Sequence, residues 1–168
     1  MQSHKALYFL LFIMLCSCHA RERKLSLPEC DRIVIAKSTR TLSLMKGSQV
    51  LKSYKVALGR QPLGPKERQG DHRTPEGLYY VDRKLPNSRF HLALHLSYPS
   101  AADREHARES AIEPGGDIEI HGLPTLFAAV GSLHRQIDWT DGCIAVTNAE
   151  IEEIYPLVRV GTPVEIKP

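Results

Sequence analysis

The sequence predicts a mainly β domain, sandwich or barrel-like, with a few short helices. Three observations predict it: aliphatic runs broken by turns over residues 31–58, two-residue alternation over 90–98, and helical patterns confined to three short stretches. With 168 residues there is room for one domain around a single core.

Residues 1–20 read as an export signal: Lys5 is a short positive region, and Ala6 to Leu15 is an apolar run too short to span a bilayer as a mature helix. The expected location is outside the cytoplasm. Two processing patterns overlap here. Leu15-Cys16-Ser17-Cys18 resembles a bacterial lipoprotein box with Cys18 lipidated, and Cys18-His19-Ala20 fits a small-residue cleavage site. Residues 21–30 follow as a short tether, and 31–168 form the domain.

Within that domain, Arg32 to Ala36, Thr41 to Met45 and Val50 to Leu58 fit three antiparallel strands. Gly59 to Thr74, rich in glycine, proline and charge, is a surface loop that Pro75-Glu76-Gly77 turns into the run Leu78 to Val81. In the next strand the period of two puts Phe90, Leu92, Leu94 and Leu96 on a core face. His91, Ala93, His95 and Ser97 fall on a face that looks into a cleft. Ala101 to Ile112 fits an amphipathic helix, either a lid or a solvated excursion. Asp117 to His121 returns to alternation, with Ile118 and Ile120 inward and His121 opposite. Thr125 to Val130 is a short helix. Thr147 to Glu150 forms a capping-box pattern ahead of the stripe Ile151, Ile154, Tyr155 and Val158, with Pro156 bending or ending that helix early and Val164 to Ile166 closing the domain.

The 22 basic and 19 acidic side chains leave a net charge of +3, without a stripe of Lys and Arg among aromatics, so no nucleic-acid partner is expected. Membrane association is expected only through a lipid on Cys18. The eight histidines lack His-Glu-x-x-His spacing and the cysteines lack Cys-x-x-Cys spacing, so neither a metal nor another cofactor is expected.

The chemistry concentrates in the second half. Ile120-His121-Gly122 precedes Asp138-Trp139-Thr140-Asp141-Gly142-Cys143-Ile144-Ala145-Val146. A Gly-Cys step with a histidine that the fold can bring beside it is what thiolate acyl transfer requires, because a free thiol of pKa about 8.5 is mostly protonated at neutral pH. Cys143 is the candidate nucleophile and His121 the group that handles its proton. The amides of Gly142 and Cys143 are candidate oxyanion donors. Two of the four cysteines lie in the signal, and Cys30 is read as a small packing residue.

These residues resemble the L,D-transpeptidase (YkuD) family, whose hallmark is His-Gly followed by Ser/Thr-x-Gly-Cys. His121-Gly122 and Thr140-Asp141-Gly142-Cys143 match it. Asp71 with Thr74-Pro75-x-Gly77 resembles the upstream turn, and the string from Asp138 to Asn148 resembles the YafK-like branch of Gram-negative envelopes. The resemblance covers roughly residues 31 to 166. One departure counts: Ala145 stands where the family commonly has an arginine thought to hold substrate carboxylate.

The resemblance implies a periplasmic cysteine acyl-transferase that forms a thioester with a diaminopimelate carbonyl of a peptidoglycan stem peptide. Its alternative is a hydrolase of the same fold that releases wall-bound lipoprotein. Supporting or substrate-binding candidates are Thr140, Gly122, His134, Arg135, Asp138 and His95. His134-Arg135 would bind stem carboxylates, and the acceptor that orients His121 is either a backbone carbonyl or Thr140.

Overall fold

A computed structural model describes residues 29–168; the signal, Cys18 and residues 21–28 of the tether lie outside the described residues. The strands are β1 (Arg32–Ala36), β2 (Thr41–Lys46), β3 (Gln49–Lys55), β4 (Gly77–Ser88), β5 (His91–Leu96), β6 (Glu119–His121), β7 (Ile144–Ala145) and β8 (Pro163–Lys167). Two α-helices, α1 (Ala101–Glu109) and α2 (Asn148–Leu157), and a 3-10 segment Thr125–Gln136 complete the domain. The strands form one sheet in the order β3-β2-β1-β8-β4-β5-β6-β7. The domain is mainly β as expected, but the sheet is not a closed barrel. Its terminal strands approach only through isolated bridges, Ala57 to Ala145 and Gly59 to Thr140.

The alternating pattern of the first three strands folds as its chemistry dictates. Ile33 and Ile35 of β1 pair with Leu44 and Leu42 of β2, and all four are fully buried. Each such side chain contributes roughly 1.5–3 kcal/mol on burial. β8 runs parallel to β1 and antiparallel to β4, adding Val164 and Ile166 to the same core. Ile151 and Ile154 of α2 pack there as well. The capping box forms: the Thr147 hydroxyl accepts the Glu150 amide at 3.3 Å and the Glu150 carboxylate accepts the Thr147 amide at 2.9 Å. α2 stops one residue after Pro156, at Leu157, with Val158 already extended.

Four elements differ from the sequence reading. β4 continues past Val81 to Ser88, because bulges between Val81 and Arg83 and between Leu85 and Ser88 break the alternation that would have revealed it. β5 begins at His91 with φ +75°, which turns Phe90 out of the core row and towards the cleft. The helix beginning at Ala101 ends at Glu109 and contributes no side chain to the cysteine cavity; His106 faces a separate cleft with Glu67, Arg68 and Asp71. The 3-10 segment runs six residues beyond Val130, across a kink at Gly131, φ +52°.

Candidate active site

Three short strands at one end of the sheet build the site. β5 pairs with β6 so that Ala93 lies beside His121 and His95 beside Glu119. β6 pairs in parallel with β7, Ile120 beside Ile144 and His121 beside Ala145. Residues two apart on a strand share a face. The register therefore sets two rows on that face: His95, Glu119 and Cys143 in one, Ala93, His121 and Ala145 in the next. Cys143 and His121 are diagonal neighbours, a relation that typically separates backbones by about 7–8 Å, within reach of side chains turned towards each other. Both line one cavity of about 740 Å³, with Arg89, Phe90, Asp117, Glu119, Trp139 and Asp141.

His121 is almost wholly buried, at 1% exposure. Phe90 stacks on its ring at 4.2 Å between centroids and Trp139 meets it edge-on at 5.9 Å. Its Nδ1 donates to the Gly122 carbonyl at 2.7 Å, so a backbone carbonyl, not Thr140, orients the ring and leaves Nε2 as the acceptor. Burial pushes the imidazole down to about 4, against a smaller opposing effect of the Gly122 carbonyl. Gly122 is required by packing: an added Cβ would lie 2.5 Å from Asn148 Oδ1.

Cys143 sits half-buried at the floor of the cavity, and its thiol donates to the Asp117 carbonyl at 3.4 Å. Burial pushes it up to about 12. The backbone of Glu119 opposes that rise, while the carboxylates of Glu119, Asp141 and Asp117 add to it. Desolvation disfavours both ions, so burial at this site favours the neutral thiol and the neutral imidazole.

The turn ahead of the cysteine is held by Thr140, whose hydroxyl donates to the Cys143 carbonyl at 2.7 Å and accepts the Gly142 amide at 3.1 Å. Of the two candidate oxyanion donors, the Gly142 amide is engaged inside the turn. Gly142 has φ +132°, and a Cβ there would come 2.7 Å from the Arg73 carbonyl. Arg73, immediately ahead of the Thr-Pro-x-Gly segment, is thus the wall against which this turn closes. Asp71 braces that wall: burial would raise its carboxyl, but Lys66 and the amides of Arg68, Glu67 and Arg73 hold it down to about 2.

The remaining sequence candidates divide. His95 is buried in the row of Glu119 and Cys143, its Nδ1 2.6 Å from Asp82 Oδ1. Asp138, Arg135 and His134 lie outside the lining of this cavity. Asp138 pairs with Arg40 at 2.7 Å and accepts the Leu58 amide at 2.9 Å. Arg135 pairs with Glu150. His134 accepts from Trp139 Nε1 at 3.3 Å and borders an apolar groove with Phe127, Leu133 and Ile137. The cation of Arg135, the one among these three able to bind a carboxylate as an ion pair, is engaged by Glu150. Arg89, Phe90 and the acids Asp117 and Glu119 were missed as site residues; Asp117 and Glu119 carried a signal, through their period-two spacing from His121.

A family model described as the L,D-transpeptidase catalytic domain matches residues 31–166. YafK of Escherichia coli K12, whose L,D-transpeptidase name is itself provisional, is 37% identical over 132 residues, covering 75% of this chain and 46% of YafK. The chain thus spans about half the length of the curated relatives it matches. Among solved structures, the helical cell shape determining protein Pgp2 of Campylobacter jejuni superposes with a TM-score of 0.61 at 24% identity, over 88% of this chain and 52% of Pgp2. Bd1075 of Bdellovibrio bacteriovorus gives 0.56 at 26%, over 84% and 51%. L,D-transpeptidase 1 of Mycobacterium tuberculosis gives 0.52 at 16%, over 83% and 62%. With a family match that spans the whole sheet and the cavity at its end, the chain belongs to the L,D-transpeptidase catalytic domain (YkuD) family.

Proposed function

We propose that this domain is a cysteine acyl-transferase acting on peptidoglycan stem peptides outside the cytoplasmic membrane. The observation that carries the reading is the placement of Cys143 and His121 as diagonal neighbours in one cavity, with Nε2 of His121 left as an acceptor. Because the resting thiol is protonated, its proton leaves during attack and not before. Rotation of the Cys143 side chain away from the Asp117 carbonyl redirects the S–H to Nε2. Sulfur then bonds to the carbonyl carbon of a diaminopimelate residue, the Cys143 amide stabilises the oxyanion, and His121 passes the proton to the leaving amine. A thioester remains.

An amine acceptor resolves the thioester into a crosslink or an attached lipoprotein. Water resolves it by hydrolysis, which would release a wall-bound lipoprotein. The second outcome is favoured by one observation: Ala145 is fully buried in the row of His121 and supplies no cation where relatives commonly place arginine. Arg89 is the cation on the cavity wall that a stem carboxylate would meet instead. An extracytoplasmic location is supported by the apolar run of residues 6–15 behind Lys5, with anchoring through Cys18 if that residue is lipidated.

The test is to incubate the mature domain with muropeptides and with lipoprotein-linked peptidoglycan, and to resolve products by chromatography and mass spectrometry. Joined products support transfer and released products support hydrolysis. Neither product from the wild-type protein would overturn the reading.

A further inference from the structure

We propose that Glu119 is the proton acceptor of the second half-reaction, taking a proton from the water or amine that attacks the thioester, with His95 behind it as a positioning residue. The inference rests on the thioester reading above. Its first support is register. The parallel pairing of Ile120 with Ile144 continues, one step before β7, to Glu119 beside Cys143, and the backbone of Glu119 hydrogen-bonds the thiol. Its second is access. Glu119 and His121 both line the cavity, but Glu119 is only half-buried, whereas His121 is 1% exposed beneath Phe90 and beside Trp139. A nucleophile arriving after the leaving amine has departed comes from the cavity side.

The third support is how the carboxylate is held. Among the described residues no side-chain hydrogen bond or ion pair engages Glu119, and it is half-buried. Beside it in the same row stands His95, 6% exposed. One ring nitrogen of His95 is fixed by Asp82 at 2.6 Å. The other, Nε2, is buried without a hydrogen-bond partner and lies 3.5 Å from an Asp117 carboxylate oxygen. An unsatisfied buried nitrogen of this kind is costly to leave unpaired. Once it has taken a proton, the Glu119 carboxyl can swing from the cavity and donate to Nε2, which satisfies that nitrogen for part of the cycle. Burial also raises the Glu119 carboxyl, an effect that His95 opposes, and a more basic carboxylate is a better proton acceptor.

The step balances without an added reagent. The neutral amine or water forms a new bond to the thioester carbon while its N–H or O–H proton passes to the Glu119 carboxylate. The C–S bond breaks, sulfur leaves with the electron pair, and Glu119 returns the proton to it. Thiol and carboxylate are both regenerated.

The experiment separates the half-reactions in the same protein preparations. A carbapenem reports acylation of Cys143 alone, read as intact mass against time, and a tetrapeptide muropeptide reports the full cycle. Glu119→Gln is expected to acylate with the carbapenem at the wild-type rate and to turn over muropeptide about 10²-fold more slowly. The muropeptide thioester should accumulate as a mass adduct. Glu119→Asp should recover part of the rate, and it carries the same comparison should the Gln variant fail to fold. His95→Gln should slow the same step by a smaller factor with acylation intact. Turnover of Glu119→Gln at the wild-type rate would overturn the proposal, as would acylation and turnover falling together. If the carbapenem leaves wild-type Cys143 unmodified, the thioester reading fails and takes this inference with it.

Discussion

The two ends of the sheet are built from strands of similar composition and behave differently. At the β3-β2-β1 end, β1 and β2 alternate between buried aliphatic and half-exposed residues, so one face is wet. At the β5-β6-β7 end both faces are covered: Leu94 and Ile120 on one side, Ala93, His95 and His121 on the other, all buried. The first end needs only hydrophobic area. The second buries ionisable groups, and burial without a counter-charge keeps them neutral. Thiol protonation alone does not mark the site. Cys30, near the β1 end, is pushed up to about 11 by burial and the nearby Asp31, much as Cys143 is pushed up to about 12. What differs is company: Cys143 faces a cavity with an imidazole and a carboxylate, and Cys30 faces core.

That contrast can be broken most severely by Cys143→Ala, which is expected to abolish turnover of muropeptides by chromatographic assay; activity near wild type would remove the nucleophile assignment. Next in size is His121→Gln, with an expected loss of about 10²–10⁴-fold in the rate of adduct formation. The cover itself is tested by acid. A histidine held near 4 when folded and near 6.5 when unfolded takes up protons preferentially in the unfolded chain between those values. Stability should therefore be intact above about 6.5 and fall as pH drops towards 4, by roughly 3 kcal/mol for His121. The acylation rate should fall as the folded imidazole protonates near 4. Phe90→Ala removes the stacked ring, and the acid limb of the rate profile should then move up from about 4 towards 6.5. An unmoved limb would mean that the aromatic cover does not set the imidazole. The smallest effect is expected of Cys30→Ser, which should keep full turnover and lose about 1–2 kcal/mol in thermal unfolding. A dead Cys30→Ser would erase the distinction between the two ends.

Much of this was legible in the chain. The Ile33, Ile35, Leu42 and Leu44 alternation marks β1 and β2, and Thr147 to Glu150 marks the start of α2, because periodicity and capping are local. The Gly-Cys step and the His-Gly step were legible for the same reason. Their partners were not. The hydrogen bond from the Cys143 thiol to the Asp117 carbonyl, the stacking of Phe90 on His121, and the capture of the Gly142 amide by Thr140 depend on backbone geometry that no residue pattern encodes. Asp138 and Arg135 looked like substrate ligands because they are charged and near the nucleophile. Their partners Arg40 and Glu150 are distant in sequence or read as cap residues.

The Asp138 carboxylate takes the guanidinium of Arg40, 98 positions earlier in the chain, and the amide that follows β3. It therefore works as a clasp across the gap that the open sheet leaves between its first and last strands. Loosening a solvent-facing hairpin turn would slacken the loop that presents the sulfur. Reactivity in this enzyme is thus exposed to damage at a place that no substrate visits.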